Sequence, residues 1–146
     1  MKKALCIISV LVCILLTSCT NDNTGIIGSA DGPTTILLSD KGGQVMYTQI
    51  SAEEAKNIID SHEEYIILDV REQDEYDSGH IPGAILIPYT DIESKAEEML
   101  PRKDMQILVY CRSGRRSKIA SESLAKLGYT DIKEFGGIID WPYEVE

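Results

Sequence analysis

Cys111-Arg112-Ser113-Gly114-Arg115-Arg116-Ser117 follows an apolar run, Gln106-Ile107-Leu108-Val109-Tyr110, and precedes a helical pattern. That order places a thiol at the tip of a buried strand, on a tight loop with three cations, facing the start of a helix. A strand-to-helix loop turns its backbone N–H groups inward, and the helix start adds roughly half a positive charge. Both effects favour the thiolate over the thiol, and the thiolate is the reactive species. The expected chemistry is therefore nucleophilic attack by Cys111 inside an anion-binding loop.

The elements around this loop alternate between strands and helices, the pattern of a parallel sheet with helices on its faces. Val45 to Ile50 reads as a first strand, and Ser51 with Glu54 three residues later forms a capping-box signature for a helix to about Asp60. Tyr65 to Leu68, Ala84 to Ile87 and Gln106 to Tyr110 read as buried strands, and Asp131 to Phe135 as the last. Ile92 to Leu100 is helical, with Pro101 as its stop; Ser117 to Leu127 is helical, with Gly128 as its C-terminal cap. Ligands of open parallel sheets bind at the C-terminal strand ends. Cys111 stands at one of those ends.

The N-terminal fifth of the 146 residues has a different composition. Met1-Lys2-Lys3 is a short positive start, Ala4 to Leu16 is almost wholly apolar, and Leu16-Thr17-Ser18-Cys19 closes the run with small residues before a cysteine. This has the outline of a secretory signal and resembles the lipobox of bacterial lipoproteins, which implies lipid on Cys19 after cleavage of residues 1–18. A membrane-spanning anchor is the alternative, but the run falls short of the roughly 20 residues a bilayer requires. Cleavage would remove Cys6 and Cys13. With Cys19 lipidated, Cys111 is then the single free thiol and no internal disulfide is possible. The chain's net charge of −10 becomes −12 without Lys2 and Lys3, which argues against nucleic acid and against charge-driven adhesion to anionic lipid. Membrane attachment on the extracytoplasmic face, periplasmic where an outer membrane exists, would come from the lipid.

Residues 19–44 read as a tether containing one apolar, glycine-punctuated segment, Gly25 to Leu38, with Asp31-Gly32-Pro33 as a turn between two β-prone runs. The segment resembles a short stretch of the membrane-embedded β subunits of sodium-pumping decarboxylases. No ion-binding role follows for Asp31 from so local a match, and a hairpin or sticky spacer is the simpler reading. Asp40-Lys41-Gly42-Gly43 marks the expected boundary, with the folded domain at 45–146.

Four further features, taken in order, carry a family resemblance: Asp69-Val70-Arg71-Glu72, Gly79-His80-Ile81-Pro82-Gly83-Ala84, Tyr110 to Ser117, and Gly136-Gly137 with Trp141. Together they resemble a single-domain rhodanese from about Tyr47 to Trp141. The resemblance implies an α/β domain, a central parallel five-stranded sheet flanked by helices on both faces. It also implies a sulfurtransferase in which Cys111 takes a sulfane sulfur from a donor such as thiosulfate and passes it to a thiol or cyanide-like acceptor. On that reading Arg112, Ser113, Gly114, Arg115 and Arg116 hold the anionic donor. The chemistry agrees, because backbone N–H groups and arginines are preorganised donors for a persulfide anion. No cofactor is needed.

Asp69 and Arg71 are expected to be a structural ion pair at a strand end, and His80 to hold a structural place near the sheet. His62 reads as a surface residue. Glu53, Glu54, Glu97 and Glu98 read as solvated helix faces, and Trp141 and Tyr143 as packing for the tail. With two histidines and one free cysteine, no metal-ligand cluster is expected. Two other functions compete. Phosphatase or arsenate-reductase chemistry needs a cysteine and an arginine separated by five residues, whereas the sixth position after Cys111 is Ser117 and Arg116 comes one residue early. A non-enzymatic persulfide carrier or binding module needs the same thiolate and is separated from an enzyme by multiple turnover.

Overall fold

The computed structural model describes residues 35–38, 45–61 and 64–146; the expectations for the N-terminal segment, Cys19, Asp31 and His62 lie outside them. Strands β1 (Thr35–Leu38), β2 (Val45–Gln49), β3 (Tyr65–Asp69), β4 (Ile85–Leu86), β5 (Gln106–Cys111) and β6 (Ile132–Gly137) form one sheet in the order β1-β2-β6-β5-β3-β4. Strands β2 to β6 run parallel, and β1 pairs antiparallel with β2. The parallel five-stranded sheet is thus as expected, but part of the tether supplies a sixth strand. Thr35–Leu38 is short and β-prone, and its pairing occupies the outer hydrogen-bonding edge that β2 would otherwise leave open.

Helices α1 (Ala52–Asp60), α2 (Gln73–Asp77), α3 (Ile92–Met99) and α4 (Arg115–Lys126) surround the sheet. Because side chains alternate along a strand, β5 serves two cores. Ile107, Val109 and Cys111 pack with Ala96 of α3 and with Ala120 and Leu124 of α4. Leu108 and Tyr110 pack on the other face with Ala55 of α1, Phe135 and Trp141. Ser51 caps α1 by accepting from the Glu54 N–H at 3.1 Å, while the Glu54 carboxylate accepts from the Ser51 N–H at 2.8 Å.

Most boundaries shift by one or two residues, and three differences from the sequence reading bear on the site. β4 keeps only Ile85 and Leu86 of the expected Ala84 to Ile87: Ala84 N–H closes a turn on Ile81, and Pro88 has no N–H to extend the ladder. The five-residue α2 is too short to show a helical period in sequence. α4 begins at Arg115, two residues early, because Gly114 at φ +89° turns the chain into the helix without a side-chain cap. That left-handed conformation is one glycine adopts at no steric cost.

Candidate active site

The site is built where β5 stops. The β5–β6 register slips between Val109 and Cys111, leaving Cys111 opposite Gly137. A bulge of this kind re-aims a side chain, and Cys111 ends 1% exposed at the mouth of the Arg112–Gly114 turn. Gly114 N–H donates to its sulfur at 3.1 Å, and the Ser113 and Ser117 N–H groups lie near enough to favour its anion. Ser117 Oγ lies 3.5 Å from Sγ. Burial pushes the thiol's pKa up, but the Ser117 hydroxyl and the N–H groups of Ser117, Ser113 and Gly114 outweigh it, so the thiol lies below its ordinary value.

Gly137 holds the loop down from beneath. A Cβ built there would stand 2.5 Å from Ser113 Cα and 2.6 Å from the Arg112 carbonyl carbon. The loop can therefore lie this close to β6 only over a residue without a side chain.

The three loop arginines are not equivalent. Arg112 and Arg115 are exposed, and among the described residues neither pairs with a carboxylate. Arg116 is half-buried and makes a two-pronged pair with Glu75 of α2, at 2.6 and 2.7 Å. The Arg116 guanidinium holds the Glu75 carboxyl down at about 2, so the pair persists until the pH falls far below the usual carboxylate range. Arg116 also lies within electrostatic reach of Cys111. Removing the anion with Glu75→Gln is therefore expected to lower the pH midpoint of Cys111 alkylation, and Arg116→Ala to raise it. Each shift should be about 0.2 to 0.7 of a pH unit, from roughly 0.3–1 kcal/mol for a partly exposed charge. Shifts of the same sign in both variants would mean that the pair acts only by docking α2.

Asp69 and Arg71 form a buried pair at the end of β3: Arg71 Nη2 donates to Asp69 Oδ2 at 2.6 Å and Nε to Oδ1 at 2.9 Å. Nη2 also donates to the Gly79 carbonyl at 2.8 Å, tying β3 to the loop after α2. Breaking such a pair from one side costs about 3–5 kcal/mol, which accounts for both residues without a catalytic role. His80 stacks on Tyr76 of α2 at 3.7 Å, with Nδ1 3.1 Å from the Tyr76 carbonyl oxygen and Nε2 3.7 Å from the Glu146 carboxylate. Its partners lie in α2 and the tail and not in the cysteine loop.

Cys111 thus stands at a strand end on a glycine-turned loop, with the Gly114 N–H donating to its sulfur and Gly137 passing beneath the loop. Residues 51–142 match the rhodanese-like domain. The chain belongs to the rhodanese-like family. The putative sulfur carrier protein YrkF of Bacillus subtilis is 39% identical over 99 residues, covering 67% of this chain and 52% of that protein. The chain thus spans about half the length of this relative. The thiosulfate sulfurtransferase PspE of Escherichia coli is 37% identical over 73 residues, 50% of this chain and 70% of PspE. Among solved structures, a rhodanese with anions from E. coli aligns with a TM-score of 0.53 and 33% identity over 56% of this chain and 96% of that one.

Sequence reasoning missed two residues of this rhodanese-like site. Glu75 lies in the unforeseen helix α2, so nothing local marked it as the partner of Arg116. Glu134 is 1% exposed on β6, on the face where Ile132 packs with Cys111. Its signal was available: two residues after Ile132, it occupies an inward position of a strand.

Proposed function

We propose that this chain is a sulfurtransferase that carries sulfane sulfur on Cys111 between an anionic donor such as thiosulfate and a thiol acceptor. The carrying observation is one buried sulfur that accepts the Gly114 N–H at 3.1 Å inside a turn whose Ser113 and Ser117 N–H groups also favour its anion. The Cys111 thiolate attacks the outer sulfur of thiosulfate, the bond between the two thiosulfate sulfurs breaks, and sulfite leaves with its electron pair. The sulfur that remains bears the negative charge of a persulfide, which preorganised N–H groups stabilise. An acceptor thiolate then attacks that outer sulfur, and Cys111 leaves as the thiolate. Arg112 and Arg115, exposed beside the loop, supply positive charge where a dianion approaches. The names of the relatives support this class of chemistry.

Intact-mass measurement after incubation with thiosulfate tests the half-reaction. The expected result is the gain of one sulfur atom on Cys111, reversed by a thiol. No adduct with any sulfane donor would overturn the reading, and hydrolysis of an aryl phosphate would favour the phosphatase alternative. Multiple turnover with a small thiol or cyanide is expected of an enzyme; a single discharge to a protein thiol marks a carrier, the reading favoured by the name of YrkF.

The same proposal places the domain at the extracytoplasmic membrane surface through lipid on Cys19. Its support is the basic start, the apolar run and the small residues before Cys19. A diacylglyceryl group inserts two chains, enough for stable anchoring where one is marginal. Metabolic labelling with a fatty-acid analogue is expected to mark the wild-type protein and not Cys19→Ala, which should accumulate as a larger precursor. Unlabelled wild-type protein free of membranes would overturn this part alone.

A further inference from the structure

Glu134 is the buried ionisable group nearest the nucleophile for which sulfur transfer, as written above, has no use. Its Oε1 accepts from the Ser117 hydroxyl at 2.6 Å and from the Gly136 N–H at 2.9 Å, and its Oε2 accepts from the Gln49 side chain at 2.8 Å. Among the described residues no cation pairs with it. Ser117 itself is wholly buried and stands between this carboxylate and Cys111, with Oγ 3.5 Å from Sγ. A hydroxyl owns one proton. Ser117 can give it to the Gly114 carbonyl at 3.0 Å, to the Gly136 carbonyl at 3.3 Å, or to Glu134 over the shortest of the three distances. While it donates to Glu134, its lone pair faces the Cys111 S–H.

We propose that Cys111, Ser117 and Glu134 form a buried proton relay in which Glu134 receives the thiol proton. The S–H bond of Cys111 breaks as an O–H bond forms on Ser117, and the original Ser117 O–H bond breaks as one forms on Glu134 Oε1. One proton is conserved, and one negative charge moves from the carboxylate to the sulfur. In the product arrangement Glu134 donates to Ser117 and Ser117 donates to the thiolate, which joins the N–H donors already aimed there. The driving force is visible in the surroundings. The carboxylate sits beside two N–H donors and, among the described residues, no cation, and a buried charge without a paired cation is costly. The sulfur sits at the start of α4 among three N–H groups and beside Arg116. The inference rests on the reading of Cys111 as the nucleophile, and it makes Glu134 a positioning residue that acts through Ser117.

The other charged and titratable groups facing this relay are few. From β2, Tyr47 faces Glu134, and its hydroxyl is pushed up to about 12, first by burial and then by Glu134 and Glu122, so it stays neutral near pH 7. From α4 come Glu122, within electrostatic reach of Tyr47, and the guanidinium groups of Arg115 and Arg116. From the turn comes Arg112, and from α2 come Glu75 and Glu72, both within reach of Arg116.

Infrared difference spectroscopy of the intact protein during alkylation by iodoacetamide at neutral pH tests the relay, and it uses no sulfur donor. Before alkylation Glu134 should show the carbonyl stretch of a protonated carboxylic acid; once the sulfur is capped and neutral, Glu134 should release its proton and the band should bleach. The bleach should be absent in Glu134→Gln, while that variant keeps the wild-type pH midpoint for alkylation, because a neutral amide replaces a neutral acid. Absence of the band in wild-type protein would overturn the proposal. So would a lower midpoint in Glu134→Gln, since it would show that Glu134 had been a fixed anion holding the thiol protonated. Because wild-type protein alone gives the primary readout, a misfolded variant does not remove the test. A protein that shows the bleach yet takes no sulfur from thiosulfate would retain the relay and lose the sulfurtransferase reading.

Discussion

Cys111→Ser is expected to abolish sulfur transfer, by on the order of 10⁴-fold or more when a nucleophile is removed, while leaving the domain folded. The replacement is nearly isosteric, and a serine oxygen can accept the Gly114 N–H that now donates to Sγ at 3.1 Å. What it removes is the polarizable atom that binds a second sulfur. The site's donors cannot compensate, because they stabilise a charge on sulfur and do not form the bond. Stopped assays of thiocyanate formation from thiosulfate and cyanide give the rate, and urea unfolding gives the stability. Transfer retained in Cys111→Ser would move the nucleophile elsewhere in the chain.

Gly137→Ala is expected to do comparable damage to function by a different route. Gly137 lies opposite Cys111 across β5 and β6, and its missing side chain is the space the loop occupies. A methyl group would meet Ser113 Cα at 2.5 Å and the Arg112 carbonyl carbon at 2.6 Å, both backbone atoms that cannot rotate away. The turn must lift, and the Gly114 N–H loses its hydrogen bond to the sulfur. Burial then opposes ionisation with less to offset it, so the alkylation midpoint should rise toward or above that of a free thiol. Overpacking of this kind costs about 1–3 kcal/mol in stability, which a urea midpoint registers. An alkylation profile superimposable on wild type would show that the loop does not depend on contact with β6.

Cys111 and its loop were legible because their signals are local. An apolar run, a cysteine, cations, a glycine and a helical pattern occupy a dozen consecutive residues, and strand, turn and helix follow from short-range propensity. The capping box of α1 was legible for the same reason. The β-prone character of Thr35–Leu38 was legible too, but its partner was not, since a four-residue run in an apolar, glycine-punctuated segment carries no information about which edge it will join. Nor was α2, whose five residues are fewer than two turns.

Chain order and residue type therefore determined the parallel α/β sheet and the position of Cys111 at a strand end, on a tight loop that leads into a helix. Tertiary structure alone decided which charges and donors meet the sulfur. Arg116, one of three arginines in five positions, is neutralised by Glu75, 41 residues away in sequence. Ser117 is engaged by Glu134 across 17 residues, and Gly137 passes beneath Ser113 because β6 lies beside β5. Local propensities act over a few residues of chain, whereas hydrogen bonds and steric contact act over about 3 Å of space. Only the folded sheet brings such distant residues within that range.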